Sequence, residues 1–187
     1  LIYGYNPAPN IIFEDVQRLK SGHYAEIQIE THKIITKKYW CPESYINSER
    51  LDINNFKKVL INSIKYRLES DVDIACFLSG GVDSSLLASI LEKELNTKLK
   101  YFTIGVKDKR YDESKRAKTI ANKLNLDHEV HYFDDELIKS KLDEYVKSMD
   151  EPLGDSSMLP TMLVSEIVAK EFKVVLSADG GDEMAMG

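Results

Sequence analysis

Two short segments of the chain combine glycine, hydroxyl and carboxylate residues in an order that suits phosphate chemistry. Leu78–Ser85 reads L-S-G-G-V-D-S-S, and Ser177–Glu183 reads S-A-D-G-G-D-E. Paired glycines permit a tight turn and let the backbone approach a ligand closely. A helix that begins directly after such a turn presents free N–H groups and a positive dipole end. The first segment, with its serine hydroxyls as further donors, is therefore predicted to bind a phosphate group.

Acidic residues in both segments indicate a divalent cation beside that phosphate. A carboxylate such as Asp83 repels a phosphate unless a hard cation lies between them, and Mg²⁺ prefers oxygen ligands. If the two strands that precede the segments are neighbours, Asp83 and Asp182 can flank one Mg²⁺–pyrophosphate group. The alternative is a pair of ordinary strand-to-helix turns in which aspartate only begins a helix. Two acidic, glycine-rich segments after two apolar strands favour the ligand site.

The sequence around these segments alternates apolar strands with helices. The predicted strands are Ile74–Leu78, Leu99–Val106, His128–Phe133 and Phe172–Ser177. The predicted helices are Ile53–Leu68, Val82–Leu95, Asp112–Asn125, Asp134–Met149 and Ser156–Glu171. In the fourth helix the residues expected to face inward are Leu137, Ile138, Leu142, Tyr145, Val146 and Met149. This alternation predicts an α/β fold with a doubly wound, mainly parallel sheet and helices on both faces, and ligands bind outside the carboxyl ends of such strands.

The first 46 residues depart from this pattern. Short apolar runs on both sides of Thr31–Lys33 predict a two-stranded β-hairpin. A hairpin is marginal alone, so we expect it to complete a sheet whose other strands are absent from this chain. Cys41–Asp52 has the composition of a linker, and we expect a domain boundary near residue 46. We interpret Leu1 and Gly187 as the edges of a fragment.

Composition and charge exclude several classes of protein. The chain has 187 residues, of which 43% are hydrophobic and 30% charged, as in a soluble globular protein. A formal net charge of −6 argues against a nucleic-acid-binding surface, and no apolar run is long enough to span a membrane. Cys41 and Cys76 form no C-x-x-C pair, which favours a reducing, cytoplasmic location. Neither G-x-x-x-x-G-K-[ST] nor G-x-G-x-x-G occurs, so a P-loop kinase or dinucleotide-binding fingerprint is absent.

Four segments resemble one family in the same order along the chain. Ser79–Ser84 matches the S-G-G-x-D-S signature of PP-loop ATP pyrophosphatases, a class with a HUP-like α/β fold. More closely, Leu78–Ser85, Asp150–Pro160 (D-E-P-L-G-D-S-S-M-L-P) and Ser177–Glu183 resemble motifs of the glutamine-dependent asparagine synthetase family. The remaining segment is the N-terminal one, which is similar to the end of that family's glutaminase domain. Its matching parts are Tyr5–Pro9, Leu19–Tyr24 and Tyr39–Trp40.

The resemblance implies an ATP-dependent, amide-forming ligase that uses ATP and Mg²⁺. A substrate carboxylate, aspartate by this likeness, attacks the α-phosphate of ATP, and ammonia released from glutamine then displaces AMP to give asparagine. Residues 1–46 would be the end of the glutaminase domain and its linker, with the hairpin as its remnant. Residues 47–187 would be a synthetase domain that is incomplete at its C-terminus. We expect no nucleic-acid or membrane partner and include a homodimer among the expected assemblies.

The resemblance also implies roles for residues at matching positions. Asp83 and Asp182 would be catalytic and would hold Mg²⁺, and Asp179 would lie near the substrate. The pyrophosphate would be bound by Ser79, Gly80, Gly81, Ser84 and Ser85, with Asp83 beside it. The adenine and ribose would be lined by Leu78 and Ile104, and AMP would also contact Ser177 and Ala178.

Departures from the family pattern leave other functions open. Ala178 replaces a usual glycine, and Met184–Gly187 replaces the usual continuation of that motif. No N-terminal cysteine nucleophile is present, so we do not expect this chain alone to hydrolyse glutamine. One alternative is a relative that adenylates another carboxylate, such as a β-lactam-forming or sugar-modifying enzyme. Another is a non-catalytic nucleotide-binding protein of the same fold.

Basic and histidine residues near the second and third predicted strands have simpler interpretations. A basic cluster follows the second strand and forms either a solvated face or a contact to ATP phosphates. Its members are Lys107, Lys109, Arg110, Lys115, Arg116 and Lys118. His128 and His131 are three residues apart in a strand, so they should lie on opposite faces and share no metal.

Overall fold

A computed structural model describes residues 2–46, 52–110 and 112–181 of the chain. The chain divides into two compact units, one formed by Leu1–Leu51 with Val146–Asp155 and the other by Asp52–Tyr145 with Ser156–Gly187. The first unit therefore contains a segment from late in the chain, which the sequence analysis had assigned to the second. The origin of the first unit in a glutaminase-like domain stays a prediction.

The first unit contains the predicted β-hairpin, which is confirmed. β1 (His23–Gln28) and β2 (Lys33–Lys38) pair antiparallel, with Ile27 opposite Ile34. Both of these isoleucine side chains are 63% exposed. The hairpin is followed by a single turn of 3-10 helix at Pro42–Tyr45.

Glu151 of the D-E-P segment holds the N-terminal loop of the same unit. Its carboxylate accepts hydrogen bonds from Asn6 Nδ2 at 3.0 Å and from the guanidinium of Arg18. These contacts, that of Asn6 above all, lower the pKa of the Glu151 carboxyl. Nearby, the Gly154 N–H donates to the carbonyl of Gly4 at 2.6 Å. The segment therefore has a structural role in the first unit.

The second unit is a four-stranded parallel sheet with helices on both faces, which confirms the predicted fold class. The strands are β3 (Ile74–Phe77), β4 (Lys100–Val106), β5 (Asp127–Phe133) and β6 (Val174–Leu176). Their order in the sheet is β5-β4-β3-β6, and every neighbouring pair is parallel. The helices of this unit are α1 (Ile53–Arg67), α2 (Val82–Lys93), α3 (Ser114–Leu124), α4 (Asp135–Ser140) and α6 (Met158–Val168), and the division between the units falls within α5 (Leu142–Ser148), after Tyr145.

Alternate residues of the central strands form two separate cores. Cys76 and Tyr101 pack with α1, α2 and α3 on one face of the sheet. Ala75 and Phe102 pack with Val164 and Val168 of α6 on the other. This alternation follows from the pleat of a strand, in which neighbouring side chains point to opposite faces. Within the described residues, no helix combines the length and apolar content needed to cross a membrane.

The predicted helix over Asp134–Met149 is wrong in its length and in its inward face. The structure has two short helices, α4 and α5, which meet at Lys141. The Leu137 carbonyl accepts both the Ser140 hydroxyl at 2.7 Å and the Lys141 N–H at 3.2 Å, and α4 ends there with Lys141 as its C-cap. Leu137, Leu142 and Val146, which were expected inside, are 39%, 50% and 58% exposed.

The two last predicted elements are shorter than expected. Helix α6 begins at Met158 and ends at Val168, where the prediction was Ser156–Glu171. Strand β6 has three residues, where the prediction was Phe172–Ser177. The residues trimmed from these elements lie in turns and loops, and the loop after β6 is the one with the second glycine pair.

Gly80 packs the turn between β3 and α2 against the start of α3. Its φ is +81°, a left-handed conformation that side chains rarely adopt. A Cβ added there would lie 2.5 Å from the Ala117 backbone nitrogen and 2.8 Å from Arg116. Both the backbone conformation and the lack of space therefore require glycine at this position.

Gly80→Ala should lower the free energy of unfolding by more than the 1–2 kcal/mol or so that a left-handed alanine alone costs. Gly180→Ala is the matched control, because Gly180 has a φ of +86° but no described atom within 4 Å of an added Cβ. Urea unfolding of both variants measures the difference. An equal loss in the two would show that contact with α3 contributes nothing.

Candidate functional site

A cavity of about 780 Å³ lies at the carboxyl edge of the sheet in the second unit. The loops after β3 and β6 form its polar side, and the middle of β4 together with α6 forms its apolar side. Its described lining residues are Phe77, Ser79, Gly81, Val82, Asp83, Ser84, Phe102, Thr103, Ile104, Glu113, Thr161, Val164, Ser177, Ala178, Asp179 and Gly180.

The loop after β3 is shaped by hydrogen bonds among its own residues. The Ser79 hydroxyl accepts from the Gly81 N–H at 3.1 Å and lies 2.9 Å from the Ser84 hydroxyl. The Ser79 N–H donates to Ser84 Oγ at 3.3 Å. Gly81 is the N-cap of α2 and provides no side-chain cap, so the first N–H groups of this helix remain free for a ligand. Together these groups form a turn that presents N–H and hydroxyl donors beside the cavity.

A threonine on the neighbouring strand fixes the start of this loop. Thr103 is 3% exposed, and its hydroxyl donates to the carbonyl of Leu78. His128 of β5 contacts the same hydroxyl, with Nε2 2.7 Å from Thr103 Oγ1. Burial, and secondarily the charge of Lys118, lowers the pKa of His128. The loop therefore depends on side chains from two other strands.

The loop after β6 meets the loop after β3 because the two strands are parallel neighbours. An added Cβ on Gly181 would lie 2.8 Å from both Cγ and Oδ2 of Asp83. The Ser177 hydroxyl donates to Asp179 Oδ2 at 2.6 Å, which holds the Asp179 carboxylate close to the strand end. The neighbouring strands that the cation hypothesis required are thus present, and Asp182 lies outside the described residues.

Most of the residues predicted for the site line this cavity, but three do not. Leu78 is 1% exposed and its side chain lies in the core, so the expectation that it lines adenine and ribose is wrong for the side chain. The reason is the strand pleat, which turns Leu78 toward α2 and α3. Gly80 contacts α3, and the Ser85 hydroxyl is buried without a hydrogen-bond partner among the described residues.

Sequence analysis missed several residues of the lining. Phe102 and Thr103 lie beside the predicted Ile104 in the middle of β4, so the rule that ligands bind outside the carboxyl ends of strands does not point to them. Glu113 is the N-cap of α3 and also borders a strand-to-helix loop. Thr161 and Val164 carry no such signal, because only the packing of α6 on the sheet brings them to the cavity.

The charges around the cavity are all negative among the described lining residues. Asp83, Glu113 and Asp179 contribute carboxylates, and no lysine or arginine side chain is present among them. None of the six residues of the basic cluster lines the cavity, and Arg110 of that cluster forms an ion pair with Asp108 at 2.6 Å. An anionic ligand here needs a cation, and the oxygen donors suit Mg²⁺. The described residues alone include no group of three or more metal-ligating side chains.

The second unit has an α/β fold of the PP-loop type. A solved structure of glutamine-dependent NAD⁺ synthetase from Acinetobacter baumannii, in complex with ADP, shares this fold with a TM-score of 0.52 and 15% identity, covering 87% of this chain and 31% of that one. The asparagine synthase family model matches residues 55–187. The chain therefore belongs to the asparagine synthase family.

Two relatives are similar to this chain over nearly its whole length. A putative glutamine-hydrolysing asparagine synthetase 2 from Methanocaldococcus jannaschii is 34% identical, over 98% of this chain and 36% of the relative. The amidase chyE of Penicillium rubens is 31% identical, over 94% of this chain and 29% of the relative. The chain thus spans about a third of the length of such relatives.

We expect His128 to titrate below the ordinary imidazole pKa of about 6.5, because burial and Lys118 disfavour its charged form. The unfolded chain then binds the proton more readily, so this histidine lowers the stability of the fold as the pH falls through that value. The Cε1 proton shift followed by NMR measures the midpoint, and Lys118→Gln should raise it. A midpoint above 6.5 in the unaltered protein would contradict the buried environment.

Proposed function

We propose that this chain carries the ATP-binding, adenylate-forming site of an asparagine-synthetase-like ligase. The observation that carries the proposal is the meeting of the two glycine-rich loops, where Gly181 lies directly against Asp83. A free helix N-terminus and serine hydroxyls border the same cavity. Family membership favours the same chemistry, and a cytoplasmic location and a homodimer stay predictions.

The two sides of the cavity suit the two ends of ATP. Phe102, Ile104 and Val164 provide an apolar side on which adenine can lie. On the other side, Ser79 and Ser84 provide hydroxyls, and the start of α2 provides N–H groups for the phosphates. We assign the pyrophosphate to this polar side, and AMP also to Ser177 and Ala178.

The proposed reaction has two steps. A carboxylate oxygen of the substrate forms a bond to the α-phosphorus of ATP while the bond to the bridging oxygen of pyrophosphate breaks. The nitrogen of ammonia, released from glutamine elsewhere in the full protein, then forms a bond to the acyl carbon, AMP leaves with the electron pair, and the nitrogen loses a proton. The turn at Ser79–Ser84 stabilises the charge of the departing pyrophosphate. We assign Asp179, which lines the same cavity, to a position near the substrate.

The acidic lining makes a divalent cation part of this proposal. Asp83, with Asp182 beyond the described residues, would hold Mg²⁺, which would neutralise charge on the pyrophosphate. The fit depends on the donor set, because every charged described side chain of the cavity supplies oxygen. Without a cation, Asp83 would repel the phosphates that the neighbouring turn is shaped to bind.

Aspartate is the substrate that we propose, and another carboxylate is the alternative. One similar relative is named amidase chyE and not asparagine synthetase. Because relatives that are similar in this region carry different names, we keep another carboxylate substrate as the alternative. A non-catalytic nucleotide-binding protein is the second alternative, and Ala178 in place of the usual glycine favours it.

Asp83→Asn should reduce ATP–pyrophosphate exchange at least about 100-fold in the complete protein, because the cation would lose a charged ligand. The matched control is Asp127→Asn, an exposed aspartate at the opposite, amino end of β5. Circular dichroism of both variants checks the fold. Exchange that persists in Asp83→Asn with an intact fold would remove the metal role of this residue.

A panel of carboxylates should identify the substrate through the same exchange assay. We expect exchange that depends on aspartate, since the family resemblance favours it. Exchange that depends on a different acid would assign the relative that acts on another carboxylate, and nucleotide binding without any exchange would assign the non-catalytic nucleotide-binding protein.

A further inference from the structure

We propose that His128 and Thr103 are positioning residues that hold the phosphate-binding turn in its active shape. The turn begins at the peptide group between Leu78 and Ser79, and hydrogen bonds hold this peptide on both sides. Its carbonyl accepts from Thr103, and its N–H donates to Ser84 Oγ at 3.3 Å. The proposal rests on the function assigned above, in which this turn binds pyrophosphate.

The need for these side chains comes from the end of the sheet ladder. The paired residues of β3 and β4 end with Phe77 opposite Phe102, and the Leu78 N–H still donates to the Phe102 carbonyl at 2.9 Å. Beyond this point β3 leaves its neighbour so that the cavity can open between the strands. The Leu78 carbonyl would lose a partner there, and the Thr103 hydroxyl supplies one.

The direction of the bonds determines the tautomer of His128. A carbonyl can only accept, so the single hydroxyl proton of Thr103 goes to Leu78. The Thr103 oxygen is then free to accept, and His128 Nε2, 2.7 Å away, must carry a proton. This series of hydrogen bonds therefore runs in one direction. His128 donates to Thr103, and Thr103 donates to the carbonyl of Leu78.

Loss of this series should affect the chemical step more than ATP binding. The N–H groups and hydroxyls of the turn would meet negative charge that grows on pyrophosphate as it leaves, and interactions that strengthen in the transition state appear in kcat. A displacement of about 1 Å in such donors costs about 100-fold in rate. His128 touches none of the cavity lining except Thr103 among the contacts described, so it acts through that residue.

NMR on the complete protein tests the geometry without any assay of activity. We expect the ¹⁵N shifts of His128 to show a protonated Nε2 and an unprotonated Nδ1 at neutral pH. In Thr103→Val this preference should disappear, and the amide signals of Ser79 and Gly81 should move. Thr103→Ser should retain both, and Thr119→Val is the matched control, because its hydroxyl bonds only within α3. An Nδ1–H tautomer in the unaltered protein, or unmoved amide signals in Thr103→Val, would overturn the proposal.

The kinetics of ATP–pyrophosphate exchange test whether His128 and Thr103 affect the chemical step more than ATP binding. Thr103→Val and His128→Leu should each lower kcat about 10- to 100-fold with a KM for ATP changed less than about 3-fold. Thr103→Ser and His128→Gln, which keep the hydroxyl and the donor, should recover most of the rate. Full kcat in Thr103→Val, or no recovery in either conservative variant with the fold intact, would contradict the positioning role. If the unaltered protein shows no exchange at all, the proposed function fails, and the NMR result alone decides the geometry.

Discussion

Parallel pairing between β3 and β6 brings two glycine-rich turns to one edge of the sheet. Parallel strands need long crossover connections, so turns that lie far apart in sequence can end side by side. The contact of Gly181 with Asp83 is so close that a methyl group would not fit between them. Because the carboxylate and the second turn share this space, the chemistry of one turn cannot be separated from the position of the other.

The same edge of the sheet shows how a parallel sheet opens a cavity without leaving the Leu78 carbonyl unpaired. Where β3 leaves β4, backbone pairing stops, and a buried carbonyl without a partner would be costly. Thr103 satisfies that carbonyl and also forms part of the cavity wall. His128 in turn satisfies Thr103 from the next strand. The hydrogen bonds that close the gap therefore also determine the shape of the turn.

The groups of the cavity that suit a phosphate are backbone N–H and hydroxyl donors, and no basic side chain is among the described lining residues. Three carboxylates line the described part of the cavity, while the basic cluster after β4 lies elsewhere. Backbone N–H groups at the start of α2 and serine hydroxyls can bind phosphate oxygens without adding charge. A site of this kind binds a phosphate chain only together with a cation, which links the nucleotide and metal parts of the proposed function.

Sequence alone determined the alternation of strands and helices, the hairpin and the two glycine-rich turns, because each depends on local spacing. A short apolar run followed by paired glycines predicts a strand and a tight turn from a few neighbouring residues. The left-handed backbone of Gly80 is part of that turn. The break between α4 and α5 was missed because the amphipathic pattern continues through it, although Leu137, Leu142 and Val146 remain largely exposed in the structure.

Tertiary structure decided which residues face the cavity and which strands are neighbours. Leu78 directly follows β3 and Phe102 lies within β4, and both are apolar, yet the pleat turns Leu78 toward the α2–α3 core and Phe102 toward the opposite face, where it borders the cavity. Thr161 reaches the site only through the packing of α6, and Glu151 serves the first unit through contacts with Asn6 and Arg18. These placements depend on interactions between residues distant in sequence, and local spacing carries no information about such contacts.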